Sequence, residues 1–257
     1  MVRALERVRH RRASLRWPLR LAVVLGLAAA TVVGLPATTK TVRAADPACP
    51  WIDTTKSADK RARLLLDASS LDQKLRWLDE QSANNMTQTV FSIGGGQTVT
   101  MPPQVACTPV IQFTDGPAAI SGGGTSITAF PGHTALSATW DTNLARRKGK
   151  ALGYEAFHKH RNVILGPGLA SGRDPRSGRT SEYLGEEPVL AGIMAGAILR
   201  GYGDNPAEPV EGVIKHYVAN EQETDRQRSS SNVDQRTLRQ IYTLPFEIAI
   251  KEAIPAA

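Results

Sequence analysis

Three shortages narrow the field before any motif is read. Aromatic residues make up 5% of the 257 residues, cysteine appears twice, and the one long apolar run, Leu21 to Leu35, has fifteen residues. A membrane-spanning helix needs about 20 predominantly apolar residues, so this run is read as the middle of an export signal rather than an anchor. Seven arginines between Met1 and Arg20 precede it, and Val42-Arg43-Ala44 supplies a cleavage site after it. Residues 1–44 are expected to be removed, leaving a secreted chain with no membrane contact. His10-Arg11-Arg12-Ala13-Ser14-Leu15 is an imperfect twin-arginine pattern, which leaves the export route open.

The basic excess is also short-lived. The whole chain carries 31 Lys and Arg against 24 Asp and Glu, but nine of the basic residues and only Glu6 among the acidic ones lie before position 45. What remains is 22 against 23, a net charge of −1. A nucleic-acid partner loses its electrostatic support, because the high pI belongs to the leader. Cysteine spacing offers no zinc pattern, and no metal or other cofactor is expected. Cys49 and Cys107 both lie in the exported part, where an even pair predicts one disulfide. His158 and His160 lie two apart on a predicted helix and read as surface residues.

The residues after the leader suffice for one domain with a core. Helices are predicted from Ser57, with Leu64, Leu65 and Ala68 as an inner stripe, and from Ser70, where Ser70-Leu71-Asp72-Gln73 forms a capping box ahead of Leu71, Leu75 and Leu78. Residues 81–109 are polar and Gly-rich and give no assignment. Strands follow at Val110 to Phe113, at Asn162 to Leu165 and from Val213, with helices from Asp141 to about His160, after Pro188 to about Tyr202, and from Asp234 to about Ala253. Glu186 and Glu187 suit the N-terminus of the second of these. The Gly122-Gly123-Gly124 run lacks the strand and helix that a phosphate loop requires. This alternation gives an α/β class with parallel strands.

Charged residues gather where the strands end: Asp115, the loop from Arg173 to Arg179, and Lys215-His216 in VIKHYVANEQETDR. Ligand hydroxyls need paired donors and acceptors, and charged groups make the stronger hydrogen bonds. On spacing alone this segment is as readily a solvated loop as a functional site. The segments KHYVANEQETDR with VDQRTLRQIYTLPFEIAIKEA, FTDGPAAI, GPGLASGRDPRSGRTSEYLGEEP and DASSLDQKLRWLDE together resemble glycoside hydrolase family 3 in its β-glucosidase-like branch, in the family's order, from about Asp67 onward.

That resemblance implies the N-terminal portion of a TIM-like (β/α)8 barrel over residues 45–257, incomplete, with about four strand–helix units. It implies retaining hydrolysis of terminal non-reducing β-D-glucosyl residues of a β-glucoside or oligosaccharide, with β-xylosidase activity open on the same scaffold. Asp115, Arg179, Lys215 and His216 would bond the sugar hydroxyls, and Arg173 would support its loop. Retention needs two carboxyl groups about 5–5.5 Å apart. By the resemblance neither lies in this chain: both are expected beyond Ala257, and Glu221 and Glu223 are not expected to replace them. A secreted sugar-binding protein or pseudoenzyme without catalysis is the reading from another class.

Overall fold

The computed structural model describes residues 48–78, 89–94, 97–121 and 124–253. The expected leader lies outside them, as do residues 81–88 and 95–96 of the unassigned polar stretch.

The described chain opens with a short turn of 3-10 helix, Pro50–Ile52, stapled by the Cys49–Cys107 disulfide with its Cα atoms 6.1 Å apart. Trp51 Nε1 donates to the Cys107 carbonyl at 3.2 Å, and Arg61 Nε donates to the Trp51 carbonyl at 2.7 Å. The bridge closes a separation of 58 residues, which by loop entropy stabilises the fold by about 4 kcal/mol. Helices α1 (Ala58–Ala68) and α2 (Leu71–Arg76) follow, each capped by the serine that the sequence nominates. The capping box at Ser70 and Gln73 is complete. The expected inner stripe of α1 is not buried: Leu64 and Leu65 are half-buried and Ala68 is exposed. The reason is that α1 packs on the Pro50–Ile52 turn and has no second layer among the described residues. The unassigned stretch contains an antiparallel pair, β1 (Thr89–Gly94) with β2 (Gln97–Met101).

The remainder is a three-stranded parallel sheet with helices on it, the early portion of the expected barrel. Its strands β3 (Phe113–Asp115), β4 (Val163–Leu165) and β5 (Glu211–Gly212) lie in that order. Two strands differ from the sequence reading. Pairing starts at Phe113 rather than Val110, because the Asn162 side chain occupies the preceding backbone: its Oδ1 accepts from Gln112 N at 2.7 Å and its Nδ2 donates to Val110 O at 2.8 Å. The third strand is Glu211–Gly212 rather than a run from Val213: Val213 N still donates to Ile164 O, but the next donor of the partner strand, Gly166 N, turns back to Ile164 O at 2.9 Å and the ladder stops. Three parallel strands, not four, are therefore formed among the described residues.

The helices explain the core. After α3 (His133–Ser137) come α4 (Thr142–His158), α5 (Pro188–Tyr202), a short α6 (Gln235–Thr237), a wider turn over Leu238–Thr243, and α7 (Leu244–Ala253). Asp141 caps α4 by accepting from Asn143 N and Leu144 N, and Glu187 caps α5 from Val189 N and Leu190 N. Helix α5 is apolar on nearly every face, as suits a helix packed on several sides. It packs against α4 on one side and α7 on the other, with β5 beside it. Small residues set the spacing. Gly149 of α4 and Gly201 of α5 face each other's backbone, while Gly192 and Gly196 of α5 admit Ile248 and Glu252 of α7.

Candidate functional site

Parallel register places the charged residues. Asp115 pairs with Leu165 and Ile164 with Gly212, so the three strands end side by side and release their loops at one edge. The third strand is followed by Lys215, whose N–H donates to Pro167 O at 3.1 Å and whose carbonyl accepts from Leu169 N at 2.5 Å. This backbone clasp aims Lys215 across the sheet end. Its Nζ donates to Asp115 Oδ1 at 2.6 Å and stands 3.6 Å from Glu182 Oε2. Lys215 is 14% exposed at its side chain and Asp115 60%, so the pair is open to solvent on the Asp115 side.

Arg179 is the hub. Its Nε and Nη2 grip Glu182 at 2.7 and 3.0 Å, its Nη1 stands 3.5 Å from Glu223 Oε1, and its Nη2 lies 2.8 Å from His216 Nε2. A guanidinium only donates, so His216 Nε2 accepts and the ring proton sits on Nδ1, 3.5 Å from the Tyr183 hydroxyl. Tyr183 in turn lies 3.4 Å from the Asn220 carbonyl. The four residues singled out in the sequence thus come together, joined through Glu182. Arg173 stays exposed, where its positive charge acts on Asp174 and Glu221.

The turn of 3-10 helix at Thr180–Glu182 that carries this cluster is pinned from behind by α3. His133 Nδ1 donates to Glu182 O at 3.1 Å, and Thr134 Oγ1 reaches Thr180 O at 3.2 Å and Tyr183 O at 3.0 Å. His133 is fully buried, and burial, helped by the charge of Lys148, lowers its pKa to about 3. Burial and then the charges of Arg179 and Lys215 lower that of His216 to about 4. Burial pushes the Glu182 carboxyl up, but Arg179 and Lys215 outweigh it and hold it below its ordinary value. Burial raises Tyr183 to about 12.

These shifts carry a sign. An unfolded imidazole takes its proton near pH 6.5, about where His216 in the fold is still neutral. Between that value and about 4 the unfolded chain binds more protons, so stability is complete above the window and falls as pH drops through it. His133 acts in the same direction, while Glu211 and Glu221, raised by burial, partly oppose it at the acid end. The thermal midpoint is therefore expected to be lower at pH 5 than at pH 7, and His216→Gln to flatten that slope. Melting curves across the range read it; an unchanged slope in the variant removes His216 from the account.

Sequence reasoning gave no role to Glu182, Tyr183, Asn220 or His133. The spacing of Arg179 and Glu182, three apart, was the one available signal for a pair. Every carboxylate near the cluster is committed. Asp115 holds Lys215, Glu182 holds Arg179, Glu223 holds Arg226 at 2.7 Å, and the buried Glu221 accepts from Ser171 N at 3.0 Å. The arrangement offers charged donors and acceptors to a neutral polyol. Among the described residues no group of acidic, cysteine and histidine side chains is placed to hold a metal ion.

Comparison with known proteins supplies the context. The description "Glycosyl hydrolase family 3 N terminal domain" matches residues 83–256. A β-glucosidase of Rhizobium radiobacter is 43% identical over 150 residues, covering 56% of this chain and 18% of its own. Beta-glucosidase B of Emericella nidulans is 41% identical over 153 residues, covering 58% and 18%. Among solved structures, β-glucosidase 3B from Thermotoga neapolitana in complex with glucose superposes with a TM-score of 0.58 at 30% identity over 74% of this chain and 28% of that one. The Kluyveromyces marxianus β-glucosidase, also with glucose, gives 0.60 at 32% identity, covering 74% and 22%. The chain spans about a fifth of the length of the curated relatives it matches.

Proposed function

Because the chain belongs to glycosyl hydrolase family 3, through that family's N-terminal domain, we propose that it supplies a sugar-holding portion of a β-glucosidase. In this reading Asp115, Arg179, Lys215 and His216 bond the hydroxyls of the terminal non-reducing β-D-glucosyl unit. One observation carries it: residues up to 101 positions apart form one charged cluster at the edge where parallel strands end, with hydrogen bonds from Lys215 to Asp115 at 2.6 Å and from Arg179 to His216 at 2.8 Å, and with Lys215 and Arg179 joined through ion pairs to Glu182. Active sites of barrels of this type sit at that edge. Asp115 accepts from a hydroxyl, Lys215 and Arg179 donate, and the neutral His216 donates from Nδ1 or accepts after a ring turn. The same portion would serve a β-xylosidase.

A second reading, sugar holding without chemistry in these 257 residues, is favoured by the committed state of each nearby carboxylate. Export belongs to the proposal as well. It is supported by the charged and apolar leader and by the Cys49–Cys107 bridge, since cytosolic thiols stay reduced.

The test is a titration of the 257-residue chain with D-glucose and its L enantiomer, beside an aryl β-glucoside assay. Saturable binding of the D form alone, with no release of the aryl group, is expected. Equal response to both enantiomers refutes the sugar site. Turnover abolished by Glu221→Gln or Glu223→Gln refutes the absence of catalysis.

A further inference from the structure

Between α3 and α4 lies a pocket of about 490 Å3, walled by the apolar side chains of Phe130, Leu136, Leu144 and Ala151. Small-ligand sites measure roughly 300–1,000 Å3. The strand-end cluster is on the other side of α3. His133 and Thr134 of that helix hold the segment from Thr180 to Tyr183, whereas Ala135 and Leu136 line the pocket.

The charges in this apolar space are all of one sign. Arg147 and Lys148 line it, and no carboxylate does. Lys148 is 6% exposed, and its Nζ donates to Pro131 O at 2.9 Å. An ammonium has three N–H donors, and the other two meet no acceptor among the described residues. Burial, unopposed by any acidic neighbour, lowers the Lys148 pKa to about 8, and the Lys148 charge adds to the depression of His133. Arg147 is exposed, and its guanidinium forms no ion pair with a described residue. A buried cation without a counter-ion is costly. An anion that entered the pocket would relieve that cost, and the walls require the rest of the molecule to be apolar. A carboxylate offers its two oxygens to Lys148 and Arg147. The Phe130 ring favours an aromatic body over an aliphatic one. A free sugar would leave both the cations and the walls unmatched.

We propose that this pocket binds an aryl carboxylate, a small molecule with one aromatic ring and one carboxyl group, in a site separate from the strand-end cluster. The inference does not rest on the sugar-site reading above.

Calorimetric titration of the 257-residue chain with 3-phenylpropanoate, the neutral 3-phenylpropanamide and acetate tests it. The phenyl acid is expected to saturate a single site. The amide should bind about tenfold more weakly, because hydrogen bonds to a charged group are the stronger ones. Acetate, which has no ring to bury, should show no saturation. Lys148→Met keeps the apolar stem and is expected to weaken the acid about tenfold, and Arg147→Met, at the exposed edge, about threefold. Ala135→Leu fills the pocket from an exposed position and should abolish binding without lowering the melting temperature. Arg179→Met should leave the affinity for the acid unchanged. Should Lys148→Met fail to fold, Arg147→Met and Ala135→Leu decide the matter. Absence of binding by the acid, equal affinity for acid and amide, or parent affinity in both Arg147→Met and Ala135→Leu overturns the inference. Loss of binding in Arg179→Met would put the carboxylate at the strand ends and overturn it as well.

Discussion

Gly149→Val is expected to lower the melting temperature of the chain by roughly 6–12 °C, the equivalent of about 3 kcal/mol for a domain of this size. The reason is the contact between α4 and α5. A Cβ at Gly149 would be driven onto the Ile198 carbonyl oxygen, with the carbonyl carbon at 3.0 Å and the Cα at 3.1 Å. All three are backbone atoms of a buried helix, so no rotamer change relieves them. Gly201 opposite has the same difficulty, with Lys150 N at 2.7 Å and Gly149 Cα at 2.9 Å from its hypothetical Cβ. Gly149→Ala gives the sharper sign. On propensity alone alanine stabilises a helix by up to about 1 kcal/mol over glycine, and here it is expected to destabilise. Lys150→Val, one residue on and exposed, should lose only about 0.5 kcal/mol of propensity. A Gly149→Ala chain that melts above the parent would show that the helices have room to part.

Arg179→Met is expected to weaken D-glucose binding by a factor of about a hundred or more, the equivalent of two lost charge-assisted hydrogen bonds. Arg179 is the group on which Glu182, Glu223 and His216 converge, so its loss also frees the carboxylate it shares with Lys215. The His216 pKa should rise from about 4, because Arg179 is the largest charge that lowers it after burial. Imidazole shifts in NMR spectra read this without any sugar present. Arg176→Met is the control: that side chain is 88% exposed and paired only with Asp174, and binding should stay within about twofold, as for most surface pairs. Wild-type affinity in Arg179→Met would remove the cluster from the sugar site.

Much of this site was legible in the sequence because its residues stand where apolar runs turn abruptly polar. Asp115, Lys215 and His216 stood out in that way, but spacing alone left the segment as readily a solvated loop, and the resemblance to glycoside hydrolase family 3 supplied their role. The caps at Ser57, Ser70, Asp141 and Glu187 were legible for a local reason, since each side chain bonds an amide two or three residues on. What escaped depends on distant partners. His133 reads as one polar residue near a helix start, and only the fold brings the Glu182 carbonyl, 49 residues away, onto its Nδ1. The Asn162 side chain shortened β3 by bonding Val110 and Gln112 across about 50 residues. The β1–β2 pair went unassigned because the polar, Gly-rich surroundings outweighed a short alternation, Thr98-Val99-Thr100-Met101, beside Gly94-Gly95-Gly96.

The Lys215–Asp115 contact also bears on the order in which the chain assembles. It joins residues 100 positions apart, whereas α4 and α5 meet through residues about half as far apart, such as Gly149 and Ile198, and share most of the core. Loop closure over such a distance is entropically unfavourable until other contacts have shortened the path. The helical pair, needing shorter closures, is suited to nucleate, and the charge cluster to close late. Groups that settle after the rate-limiting step act chiefly on the rate of unfolding. Changes at the strand-end cluster would then shorten the lifetime of the folded state and leave its speed of formation nearly alone, which separates the evolution of binding there from the demands of folding.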